Sequence, residues 1–174
     1  MNHLIFQQGI SLAFPILIIY IINKLFRKSF KSIDKEIINI LMLIYTTALS
    51  YFIWFQPVAV LDQQPYNFTL FSTIVFYYNH IKMDYLSLNN IIINLLGNLL
   101  ITTPIGIWFS YKGFSKKLAL PLALVIPVLF ELGQFILHQL NYATRIVDID
   151  DWLLNSLGIL LAYWLAQSIK TKHN

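Results

Sequence analysis

Five apolar runs decide what this chain can become: Leu4 to Ile22, Ile37 to Phe55, Ile91 to Ser110, Leu118 to Leu140 and Trp152 to Ile169. At about 1.5 Å of rise per residue, each makes a helix long enough to cross a hydrocarbon core of roughly 30 Å. Backbone N–H and C=O groups find no water in that core, so only helices and closed barrels cross it. The expected fold is an all-α integral membrane protein, a five-helix transmembrane bundle. Composition agrees, since 57% of the residues are hydrophobic and 11% are charged, against roughly 25% charged in soluble domains. No linker-like stretch or fixed-period repeat divides the chain. The expected organisation is an N-terminal helix with a basic loop over residues 1–36, then a single membrane unit over residues 37–174.

The connections differ in charge. Lys24, Arg27, Lys28, Lys31, Lys35, Lys112, Lys116, Lys117, Lys170 and Lys172 follow the first, third and fifth runs, and only Lys82 and Arg145 lie in the other two connections. Basic residues stay on the cytoplasmic side, which puts the N-terminus outside and the C-terminus in the cytoplasm. The formal charge of +4 then records orientation, and no nucleic-acid partner is expected. In the first run the basic residues follow the apolar stretch instead of preceding it, so a retained span is expected and not a cleaved leader. With no cysteine and with four histidines that form no His-x-x-x-His pair, thiolate sites and zinc-hydrolase ligation are excluded; no metal and no other cofactor is expected.

Between the second and third runs, Asp62 to Leu88 should lie outside. Its apolar part, Phe68 to Tyr78, is too short to cross and is expected to rest on the outer interface as a short segment. Its β-rich composition also suits a strand, but an open strand edge cannot be left facing lipid. Pro15, Pro57, Pro121 and Pro127 should kink or close the helices that carry them.

The remaining signal is polar residues where they are costly. Asn90, Asn94 and Asn98 recur at i, i+4 and i+8 on the third run, Glu131, Gln134 and His138 share a face of the fourth, and Asp151, Asn155, Gly158 and Ala162 share a face of the fifth. An ionisable group at that depth implies a partner, a wet cavity or a function. The bland alternatives are amides that bond helices together, a carboxyl kept neutral by burial, and acids that cap the last helix. Asp148 or Asp150 is well placed as that cap, with Asp151 favoured by the helix dipole. In the expected topology these positions meet in one leaflet, as a polar pocket open to the outer face. Arg145, Asp148 and Asp151 form its rim, and Glu131, Gln134 and Asn98 its floor, with Asn98 and Glu131 roughly 12 to 14 Å deep and Asn155 shallower.

At these residues the chain resembles the VanZ family. The family pattern of an Asn followed by Pro-x-Gly, a Glu-x-x-Gln, and an acid-rich Asp-x-x-Asp-x-x-x-Asn-x-x-Gly stands here as Asn98 with Pro104-Ile105-Gly106, as Glu131-Leu132-Gly133-Gln134, and as Asp148-Ile149-Asp150-Asp151 with Asn155 and Gly158. The likeness runs from about residue 67 to 165, leaving the first span and its basic loop outside. Ile159 departs from a second Gly common in the family, and Asn67-Phe68-Thr69-Leu70 lacks a Pro often seen there. The resemblance implies a multi-pass protein of the bacterial cytoplasmic membrane, in a family whose name-giving member confers low-level resistance to the glycopeptide teicoplanin. Carried over, its polar signature falls on Asn98, Glu131, Gln134, Arg145, Asp148, Asp151 and Asn155.

Three functions stay open. The pocket could bind an amphiphilic envelope ligand, such as a lipid-linked cell-wall intermediate or a glycopeptide antibiotic with an acyl arm, with membrane lipids as neighbours. It could be the site of an enzyme acting on a lipid-linked substrate, with Glu131 as general acid or base beside ionised Asp148 and Asp151, although no Ser or Cys nucleophile motif accompanies it. Glu131 could also relay protons in a carrier, for which five spans without an inverted repeat are a poor scaffold. The topology is tested by single cysteines. Ser29→Cys and Ser115→Cys should resist a membrane-impermeant thiol reagent in intact cells, and Thr144→Cys should react; the opposite labelling would turn the pocket toward the cytoplasm.

Overall fold

The computed structural model describes residues 2–30, 32–55, 66–82, 88–142 and 145–172. Seven helices and two short strands follow in order: α1 (Asn2–Phe26), α2 (Ile33–Phe55), β1 (Tyr66–Asn67), α3 (Ser72–Lys82), α4 (Leu88–Ile101), α5 (Thr103–Tyr111), α6 (Lys116–Gln139), β2 (Val147–Asp148) and α7 (Ile149–Lys172). Five spans are long and apolar enough to cross a membrane: Gln8–Phe26, Ile33–Phe55, Ile91–Tyr111, Lys116–Gln139 and Ile149–Thr171. The protein is thus an all-α, multi-pass membrane protein. Pro57 and Thr144 lie outside the described residues, as does the side chain of Asn90.

The chain divides into two compact units, Met1–Ala59 with Ala143–Arg145, and Val60–Tyr142 with Ile146–Asn174. In the first, α1 and α2 form an antiparallel hairpin. Gly9 lets the helices close up, for a Cβ there would stand 3.1 Å from the Ala48 Cα. At the other end Glu36, almost fully buried, takes Lys24 Nζ at 3.0 Å and the Tyr20 hydroxyl at 2.5 Å. A buried carboxylate needs such partners, and they explain why α2 begins at Ile33, ahead of its apolar run.

In the second unit α7 is the centre, packed against α4, α5 and α6. Small residues permit it. A Cβ on Gly106 of α5 would overlap the Ile159 carbonyl oxygen and press on Ala162, and one on Gly158 of α7 would overlap the Leu99 carbonyl oxygen and the Thr102 hydroxyl. Helices in lipid gain nothing from hydrophobicity between them, so close van der Waals approach over small residues carries the association. Ile159, in place of a second small residue, is itself fully buried and fills its position.

The third span is not one uninterrupted helix as expected, but α4 and α5 joined at Thr102. Pro104 has no N–H for the Leu100 carbonyl, which instead accepts from the Thr103 hydroxyl at 2.8 Å. Thr102, fully buried, sends its own hydroxyl across to the Asn155 carbonyl at 2.8 Å. Pro127 lies inside α6, and in that turn the Leu124 carbonyl accepts the Trp152 indole N–H at 3.0 Å.

The segment Phe68 to Tyr78 forms no strand: its second half is the start of α3. A strand does occur just before it, where Tyr66 and Asn67 pair in parallel with Val147 and Asp148. Two residues give an edge short enough to be covered, and Val147 is buried.

Three glycines test this packing. Gly106→Ala and Gly158→Ala should each destabilise by about 1 to 3 kcal/mol, the usual cost of overpacking, read as a lower melting temperature in detergent or less protein in the membrane. Gly97→Ala, whose Cβ would meet nothing within 4 Å, should match the native protein.

Candidate functional site

The polar residues converge where α7 begins, and the convergence starts with a helix cap. The first N–H groups of a helix lack intrahelical partners. Asp148 answers one of them, its Oδ1 accepting the Asp150 N–H at 2.9 Å. The helix therefore starts at Ile149, three residues ahead of the apolar run that opens at Trp152, and Asp150 and Asp151 occupy its first turn, where the helix dipole favours negative charge.

The same carboxylates reach a second element. Asp148 Oδ2 accepts the Thr73 hydroxyl at 2.6 Å and Oδ1 the Asn67 amide at 3.3 Å. Asp150, buried, accepts the Phe71 N–H at 2.6 Å and the Thr73 N–H at 3.0 Å. These bonds and the β1–β2 pairing pin the entry turn of α3 to the entry turn of α7. Phe71, at φ +64°, is held in the left-handed region within that turn, a strained conformation for a bulky residue that the Asp150 bond to its N–H helps to hold. Farther along α3, Tyr77 shares a hydrogen bond with Asn94 of α4, the cross-helix role open to an amide in a membrane span.

Glu131 enters from α6, half-buried, and its Oε2 accepts the Asp148 N–H at 2.8 Å. Floor and rim of the expected pocket are therefore in direct contact. Eight residues, about 12 Å of helix, separate Glu131 from the end of α6 at Gln139, so β2 lies beside the Glu131 side chain and not level with that end. Asn98 donates to Asp151 Oδ1, both buried. One helical turn farther, the Thr102 bond to the Asn155 carbonyl repeats this step between the parallel helices α4 and α7. Asn155 is buried, with no hydrogen-bond partner for its Oδ1 among the described residues. Gln134 is buried on the face of α6 that carries Glu131.

Six of the seven expected residues thus lie in the second unit. Glu131 and Asp148 are joined directly, as are Asn98 and Asp151; Asn155 meets α4 through its backbone, and Gln134 is in none of the bonds just described. Arg145 is half-buried two residues before β2 and falls in the first unit. Sequence reasoning left out Asn67, Thr73 and Asp150 as site residues. Asp150 stands inside the acid-rich motif, where a cap already accounts for it, whereas nothing in the sequence around Thr73 connects it to a carboxylate 75 positions away. Chemically, the cluster sets four carboxylates from α6, β2 and α7 among amide, hydroxyl and backbone donors. Among the described residues no group of three or more His, Cys, Asp or Glu has the arrangement of a metal site.

No curated protein and no solved structure matches this chain. A family model described as VanZ/LLP1 matches residues 37–170. The match reaches well upstream of the motif-bearing segment to take in the second span, and it covers both halves of the network, from α3 and α4 through α6 to α7. The chain belongs to the VanZ/LLP1 family.

Proposed function

We propose that this VanZ-like protein binds an amphiphilic ligand of the cell envelope at the α7 entry, on the outer face of the membrane. The observation that carries this reading is the junction itself. A hydrogen-bonded set of carboxylates and amides, from Asn67 to Asp151, adjoins α3, whose Ile74, Val75, Phe76 and Tyr78 are exposed. A polar head group fits the first and an apolar chain the second, the partition that a pocket of convergent polar groups in an apolar frame provides. The basic asymmetry supports an outward orientation of this end. Lipid-linked cell-wall intermediates and glycopeptides with an acyl arm have that division, and capture of either would account for a contribution to teicoplanin resistance. Arg145, two residues before β2 in the chain, has a guanidinium that can fork onto an anionic head group.

Mass spectrometry of lipids that co-purify with the protein in mild detergent tests the proposal, and a polyprenyl-linked species enriched over a control membrane protein is the expected result. Glu131→Gln should reach the membrane in normal amounts, because the amide oxygen can still accept the Asp148 N–H and the buried charge is removed. Bound ligand should nonetheless fall at least tenfold, the loss of one charge-assisted bond. Unchanged ligand at normal abundance would make the ionisable group dispensable, and lost abundance would make Glu131 architectural. Arg145→Lys should lower ligand occupancy severalfold by removing the planar fork; full occupancy would reduce Arg145 to a positive charge.

A further inference from the structure

The α1–α2 hairpin holds a second arrangement of polar and apolar groups that the envelope-ligand reading does not use. A shallow depression on α1 is lined by Ile19, Ile22, Asn23, Phe26 and Arg27. These positions span eight residues, about 12 Å along the helix axis. Its two ends differ: Ile19 and Ile22 lie toward the middle of the span, Asn23 and Arg27 toward its end, with Phe26 between the two polar side chains. Ile19 is 65% and Phe26 85% exposed, so the described residues leave the depression open.

The charge at the polar end is settled by its neighbours. The Lys24 ammonium is committed to Glu36 Oε1 at 3.0 Å and to the Ser29 carbonyl at 3.1 Å, so those two charges offset one another. Arg27 and Lys28, both exposed, then set the local field, with Lys31 and Lys35 following in the chain. Three carbonyls at the negative end of the α1 dipole have partners. The Asn23, Lys24 and Leu25 carbonyls accept the N–H groups of Arg27, Ser29 and Lys28 at 3.0, 3.2 and 3.1 Å, a turn made possible by Lys28 at φ +45°. Among the residues lining the depression, the Arg27 guanidinium and the Asn23 amide are the donors on offer to an anion. Around them Phe30 and Ile33 are 51% and 78% exposed, as suits side chains set in lipid at the interface.

We infer that this depression seats an anionic glycerophospholipid of the leaflet that the α1–α2 turn faces. Its phosphate lies at Arg27 and Asn23, and an acyl chain runs over Phe26 and Ile22 to Ile19. The order of polarity along α1 is that of a lipid in its leaflet, charged end at the interface and apolar end toward the bilayer centre. The guanidinium can fork onto two phosphate oxygens, and basic residues beside a span attract anionic head groups. A choline head group would set a cation against Arg27 and Lys28. A free phosphate would leave the apolar end unfilled.

The test is native mass spectrometry of the full chain in detergent, titrated with phosphatidylglycerol and phosphatidylcholine of identical chains. Phosphatidylglycerol should bind about fivefold more tightly, the effect of one basic residue near an anionic lipid. Arg27→Gln should erase that preference, and Lys35→Gln, which removes the same charge from the first turn of α2, outside the depression, should keep it. Asn23→Leu should weaken phosphatidylglycerol selectively and serves as the second variant if Arg27→Gln does not fold. Glycerol 3-phosphate at matched concentration should not compete. Equal binding of the two lipids would overturn the inference. So would equal losses in Arg27→Gln and Lys35→Gln, which would leave only a diffuse basic surface, or displacement by glycerol 3-phosphate, which would make phosphate alone the ligand.

Discussion

The start of α7 depends on unsatisfied backbone donors, and much of the second unit follows from how they are met. A helix that begins near a membrane interface exposes N–H groups that lipid cannot satisfy. Asp148 meets one at its own helix and, with Asp150, meets two more and a hydroxyl at the entry of α3. Glu131 then fixes the backbone of Asp148 from α6. Three carboxylates therefore join three helices, and each acid that caps is also an acid that connects.

Below this junction the packing changes in kind. Asn98 and Asp151 meet side chain to side chain, Thr102 reaches the Asn155 backbone, and Gly158 adds no side chain of its own, so the Leu99 carbonyl and the Thr102 hydroxyl stand close to the α7 backbone. Polarity decreases with depth while closeness increases, as expected where burying charge grows costlier and dispersion is the remaining attraction. The Thr103 bond to Leu100 and the Pro104 that requires it belong to the same solution, because they join α4 to the α5 segment in which Gly106 meets α7. The family's Pro-x-Gly is thus one device: the proline interrupts the span, and the glycine admits the neighbour.

Architecture was legible from the sequence because a bilayer leaves so few choices. Length and hydropathy located all five spans to within a few residues, and the discrepancies have local causes. The second span begins early because Lys24 and Tyr20 satisfy Glu36, and the fifth because Asp148 caps it. No lipid-facing strand forms over Phe68 to Tyr78, in keeping with the cost of an open edge, but the helix that begins there was not among the expectations. Side-chain stripes placed Asn98, Glu131 and Asp151 among residues that need partners, since the cost of burying a polar group does not depend on knowing which partner it finds.

What the sequence determined by itself was the number of spans, the asymmetry of charge and the positions at which polarity demands an explanation. Which oxygen meets which donor was decided only by the tertiary structure. Thr73, Asn67 and the β1–β2 pairing lie about 80 residues from Asp148 and Val147, and no periodicity encodes a bond across that distance. The same is true of the contact between Glu131 and Asp148, which has β2 beside the Glu131 turn of α6 and not level with the helix end at Gln139. Local propensity sets where a helix starts and which face is polar; the return path of a loop is fixed by the donors and acceptors it must pair on arrival.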